Sequence, residues 1–262
     1  LVTGDFIVLG DHDDLFTPNA LYECALALNE NQDIEVIYTD EDKIDMKGLT
    51  YFEPSCKPDF NIDLLRNNNY ICHMFVAKRT LVDTVGEFNQ AYDGAQDYDF
   101  IFRCVEQAKK IHHIPKILYH WRAHSNSTAS DPKSKMYAFE AGKRAIADHL
   151  KRVGLAATVE MGPHLGFYKV TYDVIDKPLI SIIIPNKDHI GDLEICMNSI
   201  DIKSDYHNYE YIIIENNSTE EETFAYYKDI ETRENVHVVT WEKEFNYSAI
   251  NNFGVQFAKG EY

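Results

Sequence analysis

Apolar and polar positions divide the chain into two stretches of different regularity. From residue 177 onward, short apolar runs alternate regularly with segments of helical spacing. Strands are predicted at 180–185, 209–215 and 236–241, and helices at 192–200, 220–230 and 247–259. Strands that alternate with helices predict a parallel sheet covered on both faces, whose ligands gather at the carboxyl ends of the strands.

The first 150 residues alternate less regularly. A buried strand is predicted before residue 11, and the spacing of Leu21, Ala25 and Leu28 predicts a helix over 18–29. Further strands are predicted at 35–38, 70–77 and 111–121, further helices at 79–85, 97–109 and 136–152, and one or two helical turns at 61–66. Two extended pieces, 157–161 and 167–174, follow before the regular part begins.

The strongest candidate chemistry stands where the first strand ends, at Asp11-His12-Asp13-Asp14. Carboxylates this close repel each other unless a cation lies between them. Mg²⁺ and Mn²⁺ prefer oxygen ligands and keep open positions for a substrate. The alternative is that Asp13 or Asp14 caps the helix that follows.

Composition narrows the classes of partner. The 262 residues include 25 Lys and Arg against 43 Asp and Glu, which gives a net charge of −18. This excess disfavours nucleic acid and anionic membranes as general partners. The five cysteines lack C-x-x-C spacing, which favours free thiols and a reducing compartment. No apolar run is long enough to span a bilayer, and we expect a segment cut from a longer protein.

At this point the chain resembles the family-2 glycosyltransferases with the GT-A fold, above all the tandem-domain kind of bacterial surface-polysaccharide synthesis. Residues 177–262 resemble the family's amino-terminal, nucleotide-binding half, and residues 1–150 resemble its carboxyl-terminal half. The sequences that carry the resemblance are Gly4-Asp-Phe-Ile-Val-Leu-Gly-Asp-His-Asp-Asp14, Gly94-Ala-Gln-Asp-Tyr-Asp99, His113-Ile-Pro-Lys-Ile-Leu-Tyr-His-Trp-Arg122, Pro178-Leu-Ile-Ser-Ile-Ile-Ile-Pro185 and Tyr211-Ile-Ile-Ile-Glu-Asn-Asn-Ser218.

The order of the halves is reversed relative to a single family member. The resemblance implies a carboxyl-terminal, metal and acceptor half at 1–154, a linker with extended segments at 155–176, and the nucleotide-binding half of a following domain at 177–262. The fold class expected is α/β, a mixed and mostly parallel GT-A-like sheet flanked by helices, with its halves in permuted order. The halves could dock within one chain or be exchanged between two chains as a homodimer.

The resemblance also assigns roles to the acidic residues. Asp11 and Asp13 would form the D-x-D element, with Asp13 on the metal and Asp11 on the metal or ribose. Asp97 would be the catalytic base. Gln96, which stands where the family often has Glu, would contact the substrate. The alternative for Asp97 is an acidic residue that favours the helix dipole.

Polar residues elsewhere are assigned to substrate. His120 or His124 would complete the metal shell, and Arg122 would steady the pyrophosphate. Base and ribose contacts are expected from Asn186, Asn216 and Asn217. Residues 40–42 are interpreted as a solvated acidic loop rather than a second metal site, and the remaining histidines as surface or core residues.

The resemblance implies an inverting glycosyltransferase dependent on Mn²⁺ or Mg²⁺, with a nucleotide-sugar donor and a saccharide or lipid-linked saccharide acceptor. A cytoplasmic location is expected, at or near the inner face of the membrane. A non-catalytic nucleotide- or carbohydrate-binding module, or an inactive fragment, is the alternative. A phosphoryl- or nucleotidyl-transfer enzyme is a third hypothesis, disfavoured because no P-loop sequence is present.

Overall fold

The computed structural model describes residues 3–123 and 136–262. The chain divides into two compact units, one ending at Asp173 and the other beginning at Val174. Each is an α/β structure, which confirms the predicted class. Among the described residues, no helix combines the length and apolar character that crossing a bilayer requires.

The first unit contains eight strands, five α-helices and one short 3₁₀-helix (Gln90–Tyr92) among its described residues. The strands are β1 (Phe6–Leu9), β2 (Leu15–Phe16), β3 (Val36–Ile44), β4 (Tyr51–Ser55), β5 (Phe75–Lys78), β6 (Ile111–Arg122), β7 (Ala157–Met161) and β8 (Tyr168–Tyr172). The helices are α1 (Ala20–Glu30), α2 (Ile62–Asn67), α3 (Arg79–Val85), α4 (Gln96–Gln107) and α5 (Met136–Arg152).

Six of these strands form a mixed sheet in the order β1-β5-β3-β6-β2, with β4 paired to β3. Only β3 and β6 run parallel, and the other pairs are antiparallel. β6 continues through Pro115, because the register with β3 shifts there and accommodates the irregularity. The long β3–β6 pair therefore forms the centre of the sheet.

Both faces of this sheet are covered. Val36 and Tyr38 pack into a core with α4, α5 and the β7–β8 hairpin, whereas Ile37 between them packs toward α1. Successive side chains of a strand point to opposite faces, so a strand buried on both sides shows no polar alternation. This is why β3 begins as a continuous apolar run.

The acidic residues 40–42 correct one expectation. They lie inside β3 rather than in a solvated loop, and Asp40 and Asp42 are only 5% and 9% exposed. Each carboxylate has a partner distant in sequence: Asp40 pairs with His113 (2.8 Å) and Asp42 with His120 (2.5 Å). Burial of these charges is tolerated because they are paired and hydrogen-bonded.

The two extended pieces expected near 155–174 form the antiparallel β7–β8 hairpin, which packs on α2 and α5. The Tyr168 hydroxyl donates to the carbonyl of Phe139 at 2.9 Å and lies directly against Gly142 in α5. A Cβ at position 142 would overlap that hydroxyl oxygen. Glycine therefore stands within this helix, despite its low helix propensity, because the hairpin approaches so closely.

We accordingly expect Gly142→Ala to destabilise the first unit by about 1–3 kcal/mol, as an overpacked core does, although alanine is the better helix former. Gly191→Ala is the matched control, because Gly191 is also helical and its Cβ would meet nothing within 4 Å. The control should be neutral or stabilising by up to about 1 kcal/mol. Urea denaturation compares the two, and equal effects would show that Tyr168 does not constrain position 142.

The second unit is a three-stranded parallel sheet with three helices. Its elements are β9 (Ile180–Asn186), α6 (Ile190–Lys203), β10 (Tyr209–Glu215), α7 (Glu221–Ile230), β11 (Val236–Thr240) and α8 (Tyr247–Val255). The order β11-β10-β9 places β10 in the centre, where Tyr211 to Ile214 are fully buried. The predicted alternation and parallel pairing are confirmed.

Strand pairing stays within each unit among the described residues. β1 pairs with β5, and β9 pairs with β10. The single sheet expected from docking of permuted halves is therefore not formed by these pairings. Exchange of halves between two chains stays a prediction.

Candidate active site

The loop after β1, here called the carboxylate loop, contains the sequence Asp11-His12-Asp13-Asp14. Hydrogen bonds to residues of β6 hold this loop in place. The backbone N–H of Asp11 donates to the Tyr119 hydroxyl (3.1 Å), which itself donates to Asp14 Oδ2 (2.5 Å). Burial is the main cause that raises the pKa of Tyr119, and the hydrogen bond to Asp14 raises it further. The backbone N–H of Arg122 donates to the other Asp14 oxygen at 2.8 Å. Asp14 therefore anchors the loop with both of its oxygens.

Two of these carboxylates lie close to the imidazole of His73, which precedes β5, the strand paired with β1. Asp11, Asp14 and His73 each offer one ligand atom, and these atoms lie within 4.8 Å of one another. The ring of His73 also stacks on Tyr119, with centroids 4.9 Å apart. Two carboxylates and an imidazole fit Mn²⁺, which accepts both kinds of ligand, and a carboxylate has lone pairs for a metal besides its hydrogen bonds.

Sequence reasoning missed His73, which was grouped with the surface and core histidines. Asp13 lies outside this three-residue group, and its Oδ1 is 3.8 Å from His12 Nδ1. Asp11 is common to the D-x-D assignment and to the geometric group. The two possibilities for the second carboxylate, Asp13 and Asp14, are distinguishable by substitution.

Two of the predicted metal and pyrophosphate ligands, His120 and Arg122, lie in β6 and have partners within the first unit. His120 pairs with Asp42 and packs on Tyr51, and His124 lies outside the described residues. Arg122 donates from Nε to the carbonyl of Asp13 (2.6 Å) and from Nη1 to that of Asp45 (3.2 Å). Its guanidinium thus shapes the carboxylate loop, and its predicted contact with pyrophosphate stays a prediction.

A buried lysine fixes the segment that carries His73. Lys57 is 8% exposed, and its Nζ donates to the carbonyls of Ile71 (3.1 Å) and His73. Glu41 accepts from the backbone N–H of His73 and lies 3.6 Å from Lys57 Nζ. Burial raises the pKa of Glu41 and lowers that of Lys57, because each charged form loses water.

Asp97, the predicted base, stands in the first turn of α4 and borders a cavity of about 200 Å³. Its Oδ2 accepts from Asn69 Nδ2 at 3.0 Å. Asn69 lines the same cavity, and its buried Oδ1 has no hydrogen-bond partner within the described residues. Asn69 therefore orients the carboxylate, and its own amide oxygen is left without a partner among the described residues.

Two consecutive residues, Cys72 and His73, connect the surroundings of Asp97 with the carboxylate loop. His73 lies with Asp11 and Asp14, and burial together with the neighbouring Asp97 raises the pKa of the Cys72 thiol. The segment that Lys57 fixes thus borders both groups of candidate residues.

The neighbours of Asp97 have structural roles. Gln96 Oε1 accepts from the backbone N–H of Gly94 at 2.9 Å and closes the turn before α4. Asp99 is buried and pairs with Arg103 at 2.9 Å. The substrate contact predicted for Gln96 stays a prediction.

The second unit has its own cavity, of about 760 Å³, where β9 and β10 end. Asn216 and Asn217 line it, together with Lys187 and Phe245, which sequence reasoning missed. Asn186 instead donates from Nδ2 to the carbonyl of Asp188 and to the Tyr227 hydroxyl, both at 2.9 Å. A lysine and an aromatic ring beside two amides suit a nucleoside diphosphate.

The loops that border this cavity are joined by hydrogen bonds. Asp188 accepts from the backbone N–H groups of Thr219 (2.9 Å) and Glu220 (3.0 Å). The bond from Glu220 is the largest influence that lowers the pKa of Asp188. The backbone N–H of Asp188 in turn donates to the Ser218 hydroxyl. The cavity is thus largely preformed, a common property of ligand sites.

Comparison with known proteins gives a family match for the second unit. Residues 181–262 match the family model described as Glycosyl transferase family 2. The match covers β9 to α8 and therefore the strand ends that border the 760 Å³ cavity.

The proteins most informative for comparison align with both units of the chain. The O-antigen biosynthesis protein RfbC of Myxococcus xanthus is 38% identical over 98% of this chain and 20% of its own length. The uncharacterized protein y4gI of Sinorhizobium fredii is 42% identical over 100% of this chain and 29% of its own length. The chain thus spans less than a third of the length of either relative.

A solved structure gives a weaker similarity. The mannosyltransferase PcManGT of Pyrobaculum calidifontis, in complex with GDP-Man and Mn²⁺, aligns with a TM-score of 0.30 at 17% identity. The alignment covers 49% of this chain and 35% of that one. A similarity of this size is too low to assign a fold or a ligand.

Proposed function

We propose that this chain is part of an inverting, metal-dependent glycosyltransferase that builds a polysaccharide or glycan from a nucleotide-sugar. The observation that carries the proposal is the group formed by Asp11, Asp14 and His73 at the end of β1, in the unit that also holds Asp97. The family-2 match of residues 181–262 supports glycosyl transfer as the reaction.

In this proposal the first unit is the carboxylate-bearing half of one transferase domain and the second is the nucleotide-binding half of the next. The similarity of the whole chain to much longer proteins supports this arrangement. Lys187, Asn216 and Asn217 would contact the nucleotide of the donor that the second unit binds.

The chemistry assigned to this chain's residues is a displacement at the anomeric carbon. A bond forms from the acceptor oxygen to that carbon, the bond to the diphosphate oxygen breaks, and Asp97 takes the acceptor proton. Asn69 holds Asp97 Oδ2 toward its cavity. Asp11, with Asp13 or Asp14, and His73 would hold a Mn²⁺ or Mg²⁺ ion, which when bound neutralises charge on the leaving diphosphate.

The metal site is testable without an acceptor. We expect Mn²⁺ to bind the full chain in the presence of UDP or GDP, and Asp13→Asn to weaken this binding by about 100-fold, because even indirect partners of metal ligands contribute about 10–100-fold. Electron paramagnetic resonance of free Mn²⁺ measures the affinity. Asp33→Asn is the matched control, since Asp33 is an exposed carboxylate of the same unit.

The same titration distinguishes the two ligand sets. Loss of binding in Asp14→Asn and His73→Gln, with Asp13→Asn unchanged, would replace the D-x-D assignment by the geometric group. If the unsubstituted chain binds no Mn²⁺ even in the presence of UDP or GDP, the metal-dependent proposal is wrong and a non-catalytic nucleotide-binding module becomes the better interpretation.

A further inference from the structure

The β7–β8 hairpin borders a second cavity in the first unit, separate from the one at Asp97. This hairpin cavity, of about 420 Å³, lies between the hairpin and α2. Its volume is within the usual range for small-molecule sites, ~300–1,000 Å³. The residues that bear on its chemistry are Asp63, Arg66, Phe167, Tyr168, Lys169 and Tyr172.

The two cavities are neighbours. Tyr168 lines both cavities, and residues next to each other in the chain border different cavities. Gly166 and Asn68 border the Asp97 cavity. Their chain neighbours Phe167 and Asn67 border the hairpin cavity. An extended ligand with one end at Asp97 could therefore continue along the hairpin.

The lining of the hairpin cavity combines ring faces with charged hydrogen-bonding groups. Phe167 and Tyr172 are 44% and 40% exposed, which is high for large apolar rings. Arg66 lies over the Tyr172 ring at 5.7 Å and donates from Nη1 to its hydroxyl and to Asp63. Its Nη2 has no acceptor in the described part of the chain, and the Asp63 side chain is 73% exposed.

These groups match the chemistry of a pyranose. A sugar ring presents C–H groups on its faces, which pack on aromatic rings, and hydroxyls around its edge, which bond to carboxylate, guanidinium and ammonium groups. A fatty or purely aromatic ligand would remove water from the exposed Asp63 carboxylate and would not replace the hydrogen bonds lost, at a cost.

The cavity is held in shape before any ligand binds. Asn67 Nδ2 donates to the carbonyl of Tyr168 (2.5 Å), and Asn68 Nδ2 donates to that of Gly166 (3.1 Å). On its other side, Tyr168 is fixed to α5 through Phe139. A preformed site does not spend binding free energy on ordering the hairpin.

We propose that the hairpin cavity is a saccharide subsite, which binds the sugar residue of the acceptor that adjoins the one glycosylated at Asp97. The inference rests on the proposed function for its biological role. Sugar binding to the cavity itself depends only on the first unit. The segment expected to be a linker would thereby help to select the acceptor.

Saturation-transfer NMR tests the subsite with the full chain and four probe disaccharides: maltose, cellobiose, α-1,2-mannobiose and chitobiose. We expect at least one to bind without metal or nucleotide, and Tyr172→Ala and Phe167→Ala each to weaken it about tenfold or more. Tyr172→Phe keeps the ring face and should lose less. Tyr22→Ala is the control, since Tyr22 is a 66% exposed tyrosine of α1 outside the cavity.

The outcomes separate this inference from the proposed function. Disaccharide binding that persists in Asp13→Asn but is lost in Phe167→Ala supports the subsite, whatever the fate of metal-dependent nucleotide binding. Absence of binding by all four probes, or binding that neither Tyr172→Ala nor Phe167→Ala weakens more than Tyr22→Ala does, would overturn it. Phe167→Ala keeps the Arg66–Tyr172 contacts, so it remains informative if Tyr172→Ala does not fold.

Discussion

Asp97→Asn in the intact protein is expected to lower the turnover of glycosyl transfer by about 10² or more, the usual contribution of a general base. Asparagine has nearly the same shape and can still accept the hydrogen bond from Asn69 Nδ2. It cannot take a proton from the acceptor hydroxyl. The affinity for the nucleotide-sugar donor should therefore stay unchanged while kcat falls.

Two neighbouring carboxylates serve as controls for this experiment. Asp93→Asn changes an exposed residue just before the turn and should leave kcat unaltered. Asp99→Asn removes a buried partner of Arg103 and Arg152, so it should lower stability. Near-parental turnover in Asp97→Asn would show that Asp97 serves only the start of α4.

Lys57→Met is expected to reduce the free energy of unfolding of the first unit by about 3–5 kcal/mol, the usual cost of breaking a buried ion pair. The substitution keeps an unbranched side chain but leaves Glu41 as a buried carboxylate without its cation. It also removes the donor to the carbonyls of Ile71 and His73.

The matched control is Lys43→Met, on the same strand as Glu41. Lys43 pairs with Glu53 at 2.5 Å, but its partner's side chain is 66% exposed. Exposed pairs contribute about 0–1 kcal/mol, so the cost should be small. Urea unfolding in a Trp241→Phe background lets Trp121 report on the first unit alone.

A second substitution tests the cause of the Lys57 effect. Glu41→Gln in addition to Lys57→Met removes the uncompensated charge and should recover part of the lost stability. If Lys57→Met costs no more than Lys43→Met, the buried pair does not hold the segment at residues 71–73.

Local pattern was sufficient wherever an element is stabilised by its own sequence. The helix at 79–85 has the predicted bounds, since Gly86 at positive φ ends it. The parallel sheet of the second unit follows from its alternation of apolar and amphipathic segments. The acidic part of β3 was predicted wrongly because its partners, His113 and His120, lie more than 70 residues away and cannot be read from local pattern.

The residues of the candidate site likewise fall into those that local sequence indicates and those that depend on distant partners. Asp11 and Asp97 stand out in sequence because they follow a strand and begin a helix. His73 and Asn69 carry no local signal, since a histidine or asparagine in the loop before a strand is common without any functional role. Their importance arises from tertiary proximity alone, to Asp11 in one case and to Asp97 in the other.

In the proposed function, the segment fixed by Lys57 makes metal binding at His73 and proton transfer at Asp97 thermodynamically dependent on each other. Proteins open in cooperative segments, each with its own free energy below that of global unfolding. His73 and Cys72 are adjacent, so one opening of residues 71–73 would withdraw the imidazole from Asp11 and uncover the surroundings of Asp97 together. An ion that binds His73 would then also slow amide exchange beside the base, although it never contacts Asp97.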